Sequence, residues 1–153
     1  MPRGTITERD RRFMRHAFDE MRQGYEAGGV PVGSVIAEGD TLLAAGHNKR
    51  VQHGDPIAHG EMDCLRRLGR RKHYRGLTLY TTLSPCFMCS GAILQFGIQR
   101  VVVGDIVNFK GAADLLIEHG VEVVVMDDPA CMELMARFIR ERPELWNEDI
   151  AED

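Results

Sequence analysis

The fold is decided by residues 77–103, which read LTLYTTLSPCFMCSGAILQFGIQRVVV. Leu77 to Leu83 alternates β-branched and aromatic residues, which predicts a strand. Pro85 to Phe96 predicts a helix that ends at Gly97, because glycine commonly terminates helices. The valine run at 101–103 predicts a buried strand. Strands that alternate with helices in this way indicate an α/β fold.

Further elements flank this segment on both sides. Upstream, the spacing predicts a helix over 7–27, a hairpin of strands 31–37 and 41–46, and a helix over 58–68. Downstream, it predicts a short helix over 112–119, a buried strand over 121–126 and a helix over 129–140, after which Pro143 opens an acidic tail. The predicted architecture is a three-layer α/β/α sandwich around a five-stranded mixed sheet, with helices on both faces.

Composition narrows the class of protein. The chain has 153 residues, which suits a single domain, with 44% hydrophobic and 27% charged residues. Its net charge of −4 argues against nucleic acid as the main partner. No apolar run is long enough to span a membrane, and the polar stretch 1–12 is unlike a signal peptide, so we expect a cytoplasmic protein. Four cysteines in that compartment are expected to be thiols or metal ligands.

Two of those cysteines open the central helix. With Ser84 as N-cap and Pro85 at the first helical position, Cys86 and Cys89 fall on one face of the first turn. The positive end of the helix dipole favours their thiolate forms, which are the forms that zinc binds. On their own, the two cysteines are equally compatible with a redox dithiol or with two core residues.

His59 is the candidate for a third ligand, because it also lies at the start of a helix. One nitrogen and two sulfur ligands favour Zn²⁺, and a set of three leaves the fourth position open for water, as in catalytic sites. A structural zinc site would need a fourth ligand, for which Cys64, Cys131 and His53 are the candidates. Cys64 is turned away from His59 on the same helix, and Cys131 lies among apolar neighbours.

Glu61 follows His59 by two residues and stays within the same helical turn. It can therefore lie beside a metal-bound water without itself being a ligand. A carboxylate stabilised by the helix dipole is the simpler interpretation of Glu61 alone. Next to three zinc ligands, general acid/base catalysis is favoured.

The sequence His-x-Glu followed by Pro-Cys-x-x-Cys is a signature of zinc-dependent nucleobase deaminases. Over about residues 10–153 the chain resembles the fungal-type cytosine deaminases, within the cytidine deaminase fold superfamily. The segments that carry this resemblance are Gly46-His47-Asn48, His59-Gly60-Glu61, residues 79–86, Cys89 with Gly91-Ala92-Ile93, residues 107–110, Glu141-Arg142-Pro143, and Trp146 with Glu148-Asp149-Ile150.

The resemblance implies an activity and a catalytic centre. The implied enzyme is a zinc-dependent amidohydrolase that converts cytosine and water into uracil and ammonia in pyrimidine salvage. Zinc is held by His59, Cys86 and Cys89 and activates the attacking water, while Glu61 shuttles protons. The implied organisation is a homodimer of single domains, each spanning 1–153 with a C-terminal lid at about 141–153.

The resemblance also implies a pocket for the base. Asn48 and the backbone N–H of Gly60 match groups that hold the pyrimidine carbonyl, and Asp149 matches a carboxylate that accepts from the ring N–H. The remaining matches are pocket walls, namely Val32, Phe109 and Trp146. Each pocket residue also has a structural interpretation: Asn48 as a turn residue, Asp149 as a solvated acid, and the two aromatic residues as core.

Two positions depart from the family pattern and bear on the substrate. Phe87 stands between the two cysteines where the fungal enzymes carry an acid, and Asn147 stands where an aromatic residue is expected. Another small aminated heterocycle, such as isocytosine or guanine, therefore remains open as the substrate. A larger purine fits the expected small aromatic pocket less well.

The zinc motif is also compatible with a tRNA adenosine deaminase and with a non-catalytic zinc-binding domain. The tRNA enzymes usually read His-Ala-Glu, and they need cationic surface to bind phosphates. The acidic tail opposes such a partner, whereas the basic run from Arg66 to Arg75 would favour one unless it is a solvated surface. The presence of Glu61 argues against the non-catalytic domain.

Overall fold

A computed structural model of the chain describes residues 4–153. These residues form seven helices and five strands. In chain order they are α1 Glu8–Glu26, β1 Gly33–Glu38, β2 Thr41–His47, α2 Arg50–His53, α3 Gly60–Leu68, β3 Thr78–Thr81, α4 Phe87–Phe96, β4 Arg100–Val103, α5 Ala113–Glu118, β5 Glu122–Val125, α6 Pro129–Glu141 and α7 Pro143–Asp149.

The strands form one mixed sheet in the order β2-β1-β3-β4-β5. The hairpin strands β1 and β2 are antiparallel, and β1 also pairs antiparallel with β3. The pairs β3–β4 and β4–β5 are parallel, because each is joined by a helical crossover. The carboxyl ends of β3 and β4 therefore lie at the same edge of the sheet.

Helices cover both faces of this sheet. Alternate residues of each strand point to opposite faces. One face packs against α1, α6 and α7, with Met14, Met21 and Met135 in its core. The other face packs against α3, α4 and α5, with Cys64, Ile93 and Leu116 buried. The predicted α/β/α sandwich with a five-stranded mixed sheet is confirmed.

The central helix begins two residues later than the sequence pattern predicts. Ser84 does not cap it, because its hydroxyl donates to the carbonyl of Lys110 at 2.6 Å and its N–H donates to the carbonyl of Asp105. Pro85 is likewise engaged, since its carbonyl accepts from Ala112. The N-cap is instead Cys86, whose sulfur accepts from the backbone N–H of Cys89.

Two helices were not predicted from the sequence. The first, α2, is a single turn between β2 and α3. The second, α7, occupies the acidic tail and begins with Pro143 at its first turn. Trp146 anchors α7 to the core with only 6% of its surface exposed. Among residues 4–153, no helix combines the length and the hydropathy needed to span a membrane.

Candidate active site

The candidate metal ligands meet where two helices begin. His59 is the N-cap of α3, and Cys86 is the N-cap of α4 with Cys89 in the first turn. The Nδ1 atom of His59 lies 3.5 Å from Sγ of Cys86 and 3.8 Å from Sγ of Cys89. The three donor atoms lie within 4.8 Å of one another. This arrangement places His59, Cys86 and Cys89 to bind a metal ion, as the sequence predicts.

The donor set fits zinc with an open coordination position. Among the described residues, no further histidine, cysteine or carboxylate joins the three donors. Cys64 is fully buried between α3 and the sheet. Cys131 is also fully buried, and its thiol donates to Asp128 at 3.3 Å. Three nitrogen and sulfur ligands without a fourth are typical of a catalytic zinc site.

Neighbouring groups change the acidity of the metal ligands. The hydrogen bond from Cys89 lowers the pKa of Cys86 to about 4, against the effect of burial and with help from His59. The same hydrogen bond, together with burial, raises the pKa of Cys89 well above its usual value. Burial lowers the pKa of His59, but its contact with Cys86 and the charges of Asp149 and Glu61 raise it to about 9. Metal binding at this cluster therefore displaces protons.

Glu61 lies in the first turn of α3 with 3% of its surface exposed. It lines the same cavity as His59 and Cys86, and its carboxyl is one of the groups that raise the pKa of Cys89. Burial, followed by the charge of Cys86, raises the pKa of Glu61 to about 7 in the protein alone. A bound cation opposes this shift. Such a carboxyl can both take up and release a proton near neutral pH.

A cavity of about 440 Å³ opens onto the candidate metal ligands. Its walls contain all of the predicted pocket residues, the predicted proton shuttle and two of the three metal ligands. These are Val32, Asn48, His59, Gly60, Glu61, Cys86, Phe109, Trp146 and Asp149. Cys89 is fully buried behind them.

Helix α7 forms one wall of this cavity. The ring of Trp146 packs edge-on against Phe109, with centroids 5.5 Å apart and an angle of 88°. Asp149 accepts a hydrogen bond from Nδ2 of Asn48 at 3.2 Å, and its carboxylate lies 3.6 Å from Nε2 of His59. Burial raises the pKa of Asp149, although His59 and Asn48 oppose that shift. Asp149 is therefore not a solvated surface acid.

The floor of the cavity is packed too closely for a larger residue at position 60. A Cβ atom added to Gly60 would lie 2.8 Å from the carbonyl oxygen of Val32. That same carbonyl accepts from the N–H of Asn48 at 2.9 Å. The side chain of Asn48 also accepts from the N–H of Arg50 at 2.9 Å, so it forms a turn as well as a cavity wall. The middle position of His-Gly-Glu therefore has no space for a side chain, which explains the glycine there.

Several residues that line the cavity were not predicted from the sequence to be pocket residues. Pro56, Leu83, Met88 and Ile150 also line the cavity. Leu83 and Met88 adjoin the cysteine motif, which is the signal that could have identified them. Phe87 lines the rim and is 78% exposed.

The charged surface segments are more neutralised than their sequences suggest. In the basic run, Arg66, Arg67 and Arg71 pair with carboxylates of Asp55, Asp63 and Glu38. In the acidic tail, Glu141, Glu144 and Glu148 pair with Arg137, Arg142 and Arg50. The attraction of the basic run for a polynucleotide is therefore weaker than its formal charge indicates. The repulsion by the acidic tail is weaker for the same reason.

Comparison with known proteins finds relatives over nearly the whole chain. The sequence profile of the cytidine and deoxycytidylate deaminase zinc-binding region matches residues 7–105. The chain is 51% identical over 150 residues to a cytosine deaminase of Candida albicans, covering 96% of this chain and 100% of the relative. It is 32% identical over 146 residues to a tRNA-specific adenosine deaminase of Bacillus subtilis, covering 86% and 89%.

A solved structure is also similar. It comes from work on A-to-I editing by tRNA deaminases at the wobble position of transfer RNA. It superposes with a TM-score of 0.67 at 28% identity, covering 76% of this chain and 98% of that one. The polypeptide folds of the two proteins thus agree over most of their lengths.

Proposed function

This chain belongs to the family defined by the cytidine and deoxycytidylate deaminase zinc-binding region, and from that premise we propose that it deaminates free cytosine. The products are uracil and ammonia. The observation that carries the proposal is the position of α7. Trp146 and Asp149 lie outside the part of the chain that matches the family profile, yet they close the cavity over the metal cluster. The Candida albicans relative, whose similarity covers 96% of this chain, is named a cytosine deaminase.

The proposed metal centre lies where α3 and α4 begin. His59, Cys86 and Cys89 would hold the ion, since their donor atoms converge and their chemistry suits zinc. When bound, zinc supplies a coordinated water of lowered pKa next to the substrate. The buried position of Cys89 and the partial burial of the other two ligands keep bulk water away from this centre.

Glu61 is the proposed proton shuttle. Its carboxylate takes a proton from the attacking water and passes it to the ring nitrogen beside the amino-bearing carbon. The carbon–oxygen bond forms first, and the carbon–nitrogen bond breaks afterwards, when Glu61 transfers the second proton of the water to the leaving amine. The water thus supplies the new oxygen of uracil, the proton on its ring nitrogen, and the one proton that converts the amino group into ammonia.

Base recognition is assigned to the walls of the cavity. Asn48 and the backbone N–H of Gly60 hold the pyrimidine carbonyl, because both can donate to an oxygen. Asp149 accepts from the ring N–H, since its carboxylate faces the same cavity. Val32, Phe109 and Trp146 supply apolar walls against the faces and edge of the ring. Residues 141–153 form the lid of a single domain spanning 1–153.

We include a homodimer, a cytoplasmic location and a role in pyrimidine salvage in the proposal. Phe87 and Phe96 on α4 are 78% and 45% exposed, which leaves apolar surface available to a second copy. None of the four cysteines forms a disulfide, in keeping with a reducing compartment. Sedimentation of the purified protein measures its mass in solution, and a monomer at micromolar concentration would reject the dimer.

Deamination of adenosine in tRNA is the second candidate, because the Bacillus subtilis relative carries that name. It requires a nucleotide still attached to its chain to enter beneath α7. The ion pair between Arg50 and Glu148 and the hydrogen bond between Asn48 and Asp149 hold α7 over the site. The pairing of arginines in the basic run further reduces the surface available to phosphates.

The decisive experiment is ammonia release by the zinc-loaded protein from a panel of substrates. The panel contains cytosine, isocytosine, 5-methylcytosine, guanine and adenine, with cytidine and a tRNA anticodon stem-loop as controls. We expect turnover of cytosine and none of cytidine or RNA. Turnover of another free base alone would show that this base is the substrate instead of cytosine, and it would leave the proposed roles of zinc and Glu61 unchanged. Turnover of the stem-loop alone would reject the proposal in favour of the tRNA enzyme.

A further inference from the structure

A buried ion pair lies directly behind the candidate active site. Nζ of Lys49 donates to Oδ2 of Asp63 at 2.8 Å. Their side chains are only 11% and 6% exposed. The same carboxylate oxygen accepts from the backbone N–H of His47 at 3.2 Å. Neither Lys49 nor Asp63 lines the cavity, so direct contact with a base does not explain this pair.

The pair joins the two segments that carry the catalytic and base-binding groups. Asp63 belongs to α3, which begins at His59 and carries Glu61. His47 and Lys49, the residues that it contacts, flank Asn48 on either side. One carboxylate oxygen therefore links the helix of the proton shuttle to the segment that presents Asn48 to the cavity.

The two segments are also packed in direct contact. A Cβ atom added to Gly46 would lie 2.7 Å from Oδ2 of Asp63 and 2.7 Å from the backbone nitrogen of Cys64. The end of β2 thus lies against α3 with no room for a side chain between them. The contact is close enough for Asp63 to determine the position of Asn48, which follows the last residue of β2.

We propose that Asp63, paired with Lys49, is a positioning residue that fixes Asn48 relative to Glu61 and so sets the strength of base binding. The proposal rests on the proposed function, because it assigns Asn48 to the substrate carbonyl. Asp63 does not touch the substrate. It acts through the backbone of His47 and the side chain of Lys49.

The other contacts of Asn48 lie on different elements. Its N–H donates to Val32, its Nδ2 donates to Asp149, and its carbonyl accepts from Gln52 at 3.2 Å. Loss of the charge on Asp63 leaves these contacts in place, together with the bond from the N–H of Lys49 to the carbonyl of Ala58 at 2.8 Å, and removes only the side-chain link to α3. Lys49 is then a buried charge without its partner, which favours movement of the segment toward water. Misplacement of about 1 Å is enough to reduce catalysis roughly 100-fold.

The test is a double-mutant cycle on the full-length, zinc-loaded protein. Asp63→Asn is measured in the wild-type and in the Asn48→Ala background, with cytosine as substrate. We expect Asp63→Asn to lower kcat/KM roughly 10- to 100-fold in the wild-type background, and less than about twofold when Asn48 is absent. Additive effects in the two backgrounds would overturn the proposal, because they would show that Asp63 acts independently of Asn48.

Two control variants separate positioning from stability. Arg67→Gln removes an exposed partner of the same carboxylate, and its kinetics should match those of wild type. Asp10→Asn breaks another buried ion pair, with Arg100 at the opposite end of the strands, and should lower thermal stability while leaving KM unchanged. A rise in KM for Asp10→Asn equal to that of Asp63→Asn would reject the positioning role.

Lys49→Gln keeps the proposal testable if Asp63→Asn does not fold. It removes the charge from the other side of the pair and leaves the bond between Asp63 and His47. We expect it to raise KM for cytosine in a protein that still binds one zinc ion per chain, and unchanged kinetics would overturn the proposal. If wild-type protein releases no ammonia from cytosine, the proposed function fails and this inference fails with it. An active wild type with an additive cycle rejects only the positioning role.

Discussion

Nε2 of His59 lies 3.6 Å from Oδ1 of Asp149, the last residue of α7. The opposite ring nitrogen, Nδ1, faces the thiols of Cys86 and Cys89. The C-terminal helix is therefore in contact with a metal ligand as well as with the cavity. A carboxylate next to a metal-bound histidine orients the imidazole ring and increases its basicity.

Replacement of Asp149 by alanine tests this double contact. We expect KM for cytosine to rise and kcat/KM to fall by roughly 100-fold, because the ring N–H of the base then lacks its acceptor. Trp146 is the only tryptophan, so quenching of its emission by uracil reports binding in the cavity directly. The exposed residue Glu152 provides a matched control, Glu152→Gln. Wild-type kinetics for Asp149→Ala would show that this residue of the tail does not bind the base.

Glu61→Gln tests the proton shuttle. The amide keeps the size of the side chain but cannot take up the proton of the attacking water. We expect turnover to fall by ~10²–10⁴-fold, which is the usual contribution of general acid/base catalysis. Zinc content should stay at one ion per chain, because Glu61 is not among the converging donors. Glu118→Gln, on the exposed side of α5, is the control, and near-native turnover of Glu61→Gln would contradict the assigned role.

Removal of zinc by a chelator should abolish ammonia release, and added zinc should restore it. Magnesium and calcium should not, since they prefer oxygen ligands over the nitrogen and sulfur donors present here. We also expect a lower thermal midpoint for the metal-free protein, because an ion that binds only the folded state stabilises that state. Full turnover in a sample shown by elemental analysis to lack zinc would contradict the assignment.

Acid sensitivity of the fold is expected to depend on Asp10. Its carboxylate is 1% exposed and accepts from Arg100 at 2.8 Å, from the hydroxyl of Tyr80 at 2.8 Å and from the N–H of Thr7 at 3.1 Å. Burial raises the pKa of Asp10, but these hydrogen bonds outweigh it and hold the pKa far below its ordinary value of 3.8. The folded state therefore binds the proton less readily than the unfolded state does.

The stabilisation from Asp10 is complete above the unfolded pKa and is lost as the pH falls below about 4. Asp10→Asn should lower the free energy of unfolding at pH 7 by about 3 kcal/mol, because Arg100 loses its buried partner. The difference between wild type and variant should shrink as the pH approaches 2. Urea unfolding at several pH values measures both effects, and a difference that stays constant with pH would contradict the linkage.

The elements of the fold were largely predictable, because periodicity and helix-terminating glycines are local signals. All five strands and the helices α1, α3, α4, α5 and α6 agree with the sequence pattern to within a few residues. The start of α4 was not predictable in the same way. Ser84 is a residue type that favours an N-cap, but its hydroxyl donates to Lys110, a partner that only the folded chain brings close.

The acidic tail shows the same limit more strongly. Its charge indicates solvent exposure, yet α7 packs Trp146 against Phe109 and places Asp149 in the cavity. The three candidate metal ligands were predictable because each lies at a helix start, and because Cys86 and Cys89 are three residues apart in the sequence. The ion pair of Lys49 and Asp63 has no such spacing and no motif.

By itself the sequence determined the five strands, five of the seven helices of residues 4–153 and the three candidate metal ligands, with Glu61 as the candidate proton shuttle, because periodicity and helix starts are local signals. The distant pocket residues were expected only from the family resemblance, and the tertiary structure decided that they share one cavity with the ligands. Asp149 reaches His59, and Asp63 reaches the residues on either side of Asn48, through the packing of separate elements on the sheet. Such contacts arise from burial in three dimensions, for which a linear pattern carries no local signal.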